Sequence, residues 1–229
     1  MLKKISNIGD CGITCDFGDE VDKKTNKEVI KLFNFIQESV KKKKIKGILN
    51  YTPSYNKLII NFDLAETKSE EIIDFIKISN YSKTIFSEGS KLLEIPICYD
   101  EEFALDIKRL EEKTKLSFDK IISEHVDTDF FVYMIGFVPG QPFLGDLNNN
   151  LYHDRLDTPR VKINKGSVGI VEKFCTIYTF ESPGGWNIIG KTPLDLFNIN
   201  KKNTSVLSPG DTVKFKSITK KDLLSFKNE

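Results

Sequence analysis

Nine of the chain's 14 glycines and six of its 8 prolines fall between Gly136 and Gly210. Glycine opens the left-handed backbone region and proline fixes φ at about −65°, so a stretch rich in both turns sharply and often. Long helices are excluded there. Between the turns lie short β-prone runs at 129–136, 166–171, 175–180, 186–189 and 212–216. That spacing predicts a β-barrel or sandwich. The densest part, residues 133–193, reads YMIGFVPGQPFLGDL, then RLDTPR, KGSVGIV and ESPGGWNIIGKTP, and marks a shaped site.

The first 98 residues follow a different rhythm. Residues 11–18 read as a strand, and Val29, Leu32, Phe33, Ile36 and Val40 recur at helical spacing. The run Lys41 to Lys44 suits that helix's C-terminus and reads as a solvated face. Strands at 47–52 and 57–62 form a hairpin through the turn Pro53 to Asn56. A helix over 68–78 and a strand over 92–98 complete a βαββαβ order. The expectation is an α+β protein with a ferredoxin-like N-terminal layer over 1–98. Residues 99–229 then hold two linking helices, at 103–113 and 117–125, and the β-rich domain. Ser117 is placed to cap the second linking helix.

Composition narrows the function. The formal charge is +1, from 34 basic and 33 acidic side chains, so no net field attracts nucleic acid or an anionic membrane. No apolar run reaches the roughly 20 residues of a membrane span, and the start MLKKISNIGD has no signal-peptide core. A cytoplasmic protein is expected. Cys11, Cys15, Cys98 and Cys175, with only His125 and His153 to assist, read as reduced thiols, not as a metal site.

Several residues could carry chemistry. The run from Gly185 to Thr192 fits G-x-x-x-x-G-K-T, but its interior is bulky, Pro193 follows at once, and its surroundings are β-prone. A phosphate-cradling loop needs a helix starting at the Lys-Thr, so no nucleotide site is expected. Lys191 reads either as a cation at a cleft edge or as a plain surface lysine. Gly184 and Gly185 let backbone N–H groups approach a ligand. Glu181 beside them is a water-orienting carboxylate or a salt-bridge partner for Arg160. Trp186 is a core residue or a pocket wall. Only Arg109, Arg155 and Arg160 are arginines. A guanidinium binds a carboxylate with two parallel bonds, and for the pair in HDRLDTPR the alternative is an ion pair with Asp154 or Asp157. His125 is the acid–base candidate, against the reading of a structural helix-end histidine. No serine sits in a nucleophile elbow.

The motifs GFxPGxPxLG, LDTPR, GSVGI, ESPGGW and IGKTPL, followed by LSPGD, resemble the first subunit of the prokaryotic ATP-dependent 5-oxoprolinases. That family is also known as allophanate hydrolase subunit 1 and as the KipI-type kinase inhibitors. GDCGITCDFGDEVD, YTPSYNKLIINFD and IPICYD follow its order in the N-terminal half. The resemblance implies a cyclophilin-like β-barrel for the C-terminal half. It implies a B-type subunit, inactive alone, that works with C-type and A-type subunits to open 5-oxoproline to glutamate. ATP is then used by the complex, where the A-type subunit phosphorylates the lactam, and no cofactor is assigned to this chain. In that setting His125 and Glu181 are the proposed catalytic groups, and Arg160, Lys191, Gly184, Gly185 and Gln141 the proposed substrate contacts. The alternative is a KipI-type inhibitor docking on a sporulation sensor histidine kinase. A prolyl isomerase is a weaker third, since barrel likeness transfers no site. The chain departs from the family at Gln141, where an aromatic is usual, at Asp146, which replaces the second glycine of LGGL, at Tyr99 to Glu102, and at Phe174 to Thr176.

Overall fold

The computed structural model describes residues 1–83 and 91–227. The chain divides into two compact units, Met1–Gly89 and Ser90–Glu229.

In the first unit, strands β1 (Lys4–Ile8) and β2 (Gly12–Asp16) form a hairpin, followed by helix α1 (Lys23–Lys41). Strands β3 (Ile48–Pro53) and β4 (Lys57–Phe62) and helix α2 (Ser69–Ile78) complete it. The strand order is β1-β2-β4-β3, antiparallel throughout. The Asp22 carboxylate caps α1 by accepting from the Thr25 backbone N–H at 2.7 Å. The predicted stripe is real: Val29, Leu32 and Ile36 are fully buried against Ile13, Leu58, Ile60 and Phe62 of the sheet. Each such side chain contributes roughly 1.5–3 kcal/mol. Lys41 to Lys44 are exposed, as a solvated helix end requires.

The ferredoxin-like order is not what forms. The layer is ββαββα, and β1 fills the sheet edge beside β2. The strand expected to close it, β5 (Leu92–Ile97), pairs instead in the second unit, so a division at residue 98 would cut it from its partner.

The second unit adds helices α3 (Ile107–Thr114) and α4 (Phe118–Val126), and Ser117 caps α4 as expected. Strands β6 (Asp129–Ile135), β7 (Pro142–Gly145), β8 (Arg160–Ile163), β9 (Ser167–Val171) and β10 (Phe174–Ile177) follow. Then come β11 (Ser182–Gly184), β12 (Asn187–Lys191), β13 (Thr212–Ser217) and helix α5 (Lys220–Ser225). Seven strands form one curled sheet in the order β12-β9-β10-β7-β6-β13-β5, while β8 and β11 pair separately. Only β5 with β13 is parallel among these pairs.

The outermost strands of the curled sheet meet. Cys98 N–H donates to the Lys191 carbonyl at 2.8 Å, and Lys191 N–H returns a bond to Cys98 at 2.9 Å. This bridge joins two edges that would otherwise expose unpaired backbone groups, and the architecture fits a cyclophilin-like barrel. Inside lie Ile95, Ile97, Phe130, Val132, Leu144, Val168, Ile170, Ile177, Ile189 and Phe215, with Leu110 and Ile121 of the helices packed against them. A Cβ at Gly190 would stand 2.8 Å from the Cys98 carbonyl oxygen and 2.8 Å from Ile97 Cγ2. The closing bridge therefore needs glycine. Gly190→Ala should cost about 1–3 kcal/mol, read as a lower urea midpoint with an unchanged slope.

A candidate site on the outer face of the barrel

Side chains alternate across a strand, so β10 and its extension serve two surfaces. Cys175 and Ile177 enter the barrel core, whereas Tyr178 joins Ile163 and Ile188 in a separate buried cluster under β8 and β11. Thr176 takes the same outward face. Its hydroxyl donates to the Pro142 carbonyl at 2.7 Å and accepts from Gln141 Nε2 at 3.1 Å. Since threonine has one hydroxyl hydrogen, this fixes which end of the Gln141 amide faces it. Gln141, proposed as a substrate contact, is thereby held against Thr176 and is only 2% exposed. The half-buried Phe143 and Trp186 rings meet edge to face at 5.8 Å, and Trp186 Cβ lies over Gly169. Trp186 is thus a wall of this face, not of the barrel core.

All three arginines converge on residues 184–188. Arg160 gives both terminal nitrogens to Asp106, at 2.9 and 2.7 Å. Asp106, 5% exposed, also accepts from the Ile188 backbone N–H at 2.7 Å, and its own N–H returns a bond to the Ile188 carbonyl. One turn on, Arg109 donates to Asn187 Oδ1 at 2.6 Å. The spacing of three residues puts Asp106 and Arg109 on one side of the α3 start. The ion pair weighed for Arg160 therefore exists, with Asp106 and not with Asp154 or Asp157. Arg155 is different. It is exposed, and no carboxylate lies within 4 Å of it among the described residues.

Gly184 and Gly185 sit where side chains cannot or do not enter. A Cβ at Gly184 would collide with the Tyr178 hydroxyl. Burial pushes the Tyr178 phenol up to about 12, against the opposing pull of Arg155, of a hydrogen bond from the Trp186 backbone, and of Arg160. Lys191 places Nζ 5.6 Å from the centre of the Phe103 ring, a cation–π contact at the barrel-closing bridge. The formal G-x-x-x-x-G-K-T match lies on strand β12 with no helix after it, as expected of a chance match.

Two proposed catalytic groups find other settings. Glu181 is exposed and pairs with Lys162 at 2.7 Å, not with Arg160, on the solvent side of the small β8–β11 sheet. His125 is fully buried inside the core. Its ring stacks on Phe215 at 4.6 Å, with Nδ1 2.8 Å from the Tyr99 hydroxyl and Nε2 3.4 Å from Cys175 Sγ. Burial lowers its pKa from 6.5 to about 3 and drives the Cys175 thiol and Tyr99 phenol upward. A neutral, enclosed imidazole exchanges no proton with a ligand, so this is the structural histidine. Cys15, Cys98 and Cys175 are buried and Cys11 exposed, all as free thiols. Among the described residues no cluster of histidine, cysteine or carboxylates could hold a metal, and no helix is long and apolar enough to cross a membrane.

Next to this face lies an exposed apolar loop. Phe137 is 68% exposed at φ +69°, a backbone region unusual for an aromatic residue, and Phe180 is 40% exposed against Phe197 at 5.7 Å. Gly140, at φ +73°, packs on Phe197 with no room for a Cβ. Asp146 takes φ +68°, a backbone region that favours glycine, and its carboxylate accepts from the Tyr133 hydroxyl at 3.1 Å.

Residues 3–207 match the family described as carboxyltransferase domain, subdomain C and D. A Bacillus subtilis protein, named as the B-type subunit of 5-oxoprolinase, is 30% identical over 237 residues, spanning 99% of this chain and 97% of that protein. The solved structure of TTHA0988 superposes with a TM-score of 0.80 at 25% identity, over 90% of this chain but 40% of that longer one. The urea amidolyase of K. lactis gives a TM-score of 0.74 at 20% identity, over 96% of this chain and 15% of the other, and shows likeness of fold alone.

The buried histidine sets a pH dependence. Its folded pKa lies below the unfolded value, so both states are neutral above pH 6.5. As pH falls from 6.5 toward about 3, only the unfolded state takes the proton. Stability should drop there by up to about 1.4 kcal/mol per pH unit from this group. Urea titrations between those limits should show a shallower loss in His125→Gln than in the parent.

Proposed function

Because the chain belongs to the carboxyltransferase domain, subdomain C and D, family, we propose that it is the B-type subunit of a multi-subunit, ATP-dependent 5-oxoprolinase. The observation that carries this reading is likeness to a protein named for that role over almost the whole of both chains. In it, an A-type subunit uses ATP to activate the lactam carbonyl of 5-oxoproline, and water then opens the ring to glutamate. This chain and a C-type subunit supply a shared cleft and are inactive apart.

The outer face suits such a role. It offers the exposed cation Arg155 close to Gly185, and a wall of Phe143 and Trp186 against which a small planar ring packs, while Lys191 adds a cation where the barrel closes. Preorganised positive charge of this kind stabilises the oxyanion that develops as a lactam opens. Arg160 and Gln141 act within it by holding the frame. The apolar patch around Phe137 and Phe180 supplies the surface for a C-type partner. It would equally serve an inhibitor docking on a histidine kinase, and no other feature favours that role.

Co-expression with A-type and C-type subunits tests the proposal. The expected result is a stable complex of B and C types and ATP-dependent glutamate release from 5-oxoproline that vanishes when any one chain is omitted. Glutamate release of equal rate without this chain would overturn it.

A further inference from the structure

Two buried polar groups of the barrel core, Tyr99 and Cys175, both meet His125, and the three together carry one step more. The His125 ring lies against Phe215, Phe130 and Tyr99, at 4.6, 5.1 and 5.9 Å between ring centres. Both of its nitrogens have partners, with Tyr99 Oη 2.8 Å from Nδ1 and Cys175 Sγ 3.4 Å from Nε2. Turning the ring over would put carbon at both contacts, so its orientation is settled. All three side chains are buried, and each polar hydrogen among them needs an acceptor.

A neutral imidazole carries one such hydrogen, so there are two ways to place it. On Nδ1 it points at Tyr99 Oη, the Cys175 S–H serves Nε2, and the Tyr99 O–H is left with no acceptor among the described residues. On Nε2 it donates to Cys175 Sγ, the Tyr99 O–H donates to Nδ1, and the thiol hydrogen turns to the Thr176 carbonyl at 4.0 Å. The second arrangement leaves only its weakest donor, a thiol, poorly bonded. The first strands a phenol hydroxyl, which costs more.

This chain of bonds crosses the barrel. Tyr99 follows Cys98, whose backbone closes the sheet onto Lys191, and a Cβ at Gly190 of β12 would lie 3.2 Å from Tyr99 Cδ1. Cys175 is on β10, two strands in from β12. The next residue, Thr176, faces outward and takes the Gln141 amide. We infer that His125 is a positioning residue: held with its hydrogen on Nε2, it links the closing seam to β10 and so fixes where Thr176 and Gln141 stand on the outer face.

Imidazole nitrogen NMR reads the tautomer directly. The chain has two histidines, and His153 lies outside the core cluster, so His153→Gln in a ¹⁵N-labelled sample leaves the His125 signals alone. At neutral pH the hydrogen should be found on Nε2, with Nδ1 bare. A hydrogen on Nδ1, or signals averaged between the two forms, would overturn the tautomer and with it the link. The link itself is read from its far end. Tyr99→Phe removes the first hydroxyl and should shift the Gln141 side-chain amide signals, identified by their loss in Gln141→Leu. Ile95→Val, which deletes one methyl group from the core strand leading to Tyr99 but touches none of these bonds, should leave them in place. Gln141 signals as still in Tyr99→Phe as in Ile95→Val would make His125 a packing residue only, and equal movement in both variants would do the same.

Discussion

A buried carboxylate is costly unless each of its oxygens is satisfied, and Asp106 meets that demand by joining three parts of the barrel unit. It sits at the start of α3, takes the whole fork of Arg160 at the head of β8, and holds Ile188 of β12 through both its side chain and its backbone. The small β8–β11 sheet is thereby fixed over Tyr178 and Ile188 on the outer face of the curled sheet. Without that anchor the segment 182–188 would lose its reference to α3, and with it the placement of both glycines and Trp186.

This arrangement divides the arginines by duty. Arg109 and Arg160 are structural, each spent on a partner that positions β12 or the sheet above it. Arg155, exposed and without an ion pair among the described residues, packs close to Gly185 on a loop that Leu156 N–H fastens to the Gly185 carbonyl. Lys191 contributes a second cation where the barrel closes, and its backbone, not its charge, makes the closing bridge. Charge and architecture are thus coupled through the same few residues, which accounts for the crowding of glycine and proline there. Gly184 and Gly190 each lie where a Cβ would collide with a neighbouring group.

Much of the fold was legible in local pattern. The α1 stripe, the β3–β4 hairpin, the Ser117 cap and the β-runs of the second unit were all readable because each is specified by neighbours in sequence. The edge strand β1 was not, since its residues KISNI alternate poorly and remain mostly exposed. The partner of β5 was not, because a parallel pairing with β13 across more than a hundred residues leaves no local trace. The site shows the same limit. Arg160 pairs with Gly184 across the small sheet and Gln141 lies against Thr176, but Asp106, which anchors Arg160, reads in sequence only as a residue near a helix start. His125 misled because chain position cannot reveal burial, and three aromatic rings enclose it. Glu181 misled because the lysine that pairs with it lies across a two-stranded sheet no local signal announces.

If the outer face depends on the Asp106–Arg160 fork, the two side chains must be strongly coupled in stability. The direct measurement is a double-mutant cycle by urea unfolding with Asp106→Asn, Arg160→Lys and the pair together. The account predicts a coupling energy of about 1.5–3 kcal/mol, within the range for contacting charged groups, with Asp106→Asn the costlier single change because it also strips a charged acceptor from Ile188. Additive single effects within about 0.5 kcal/mol would contradict it and leave the face held by something else.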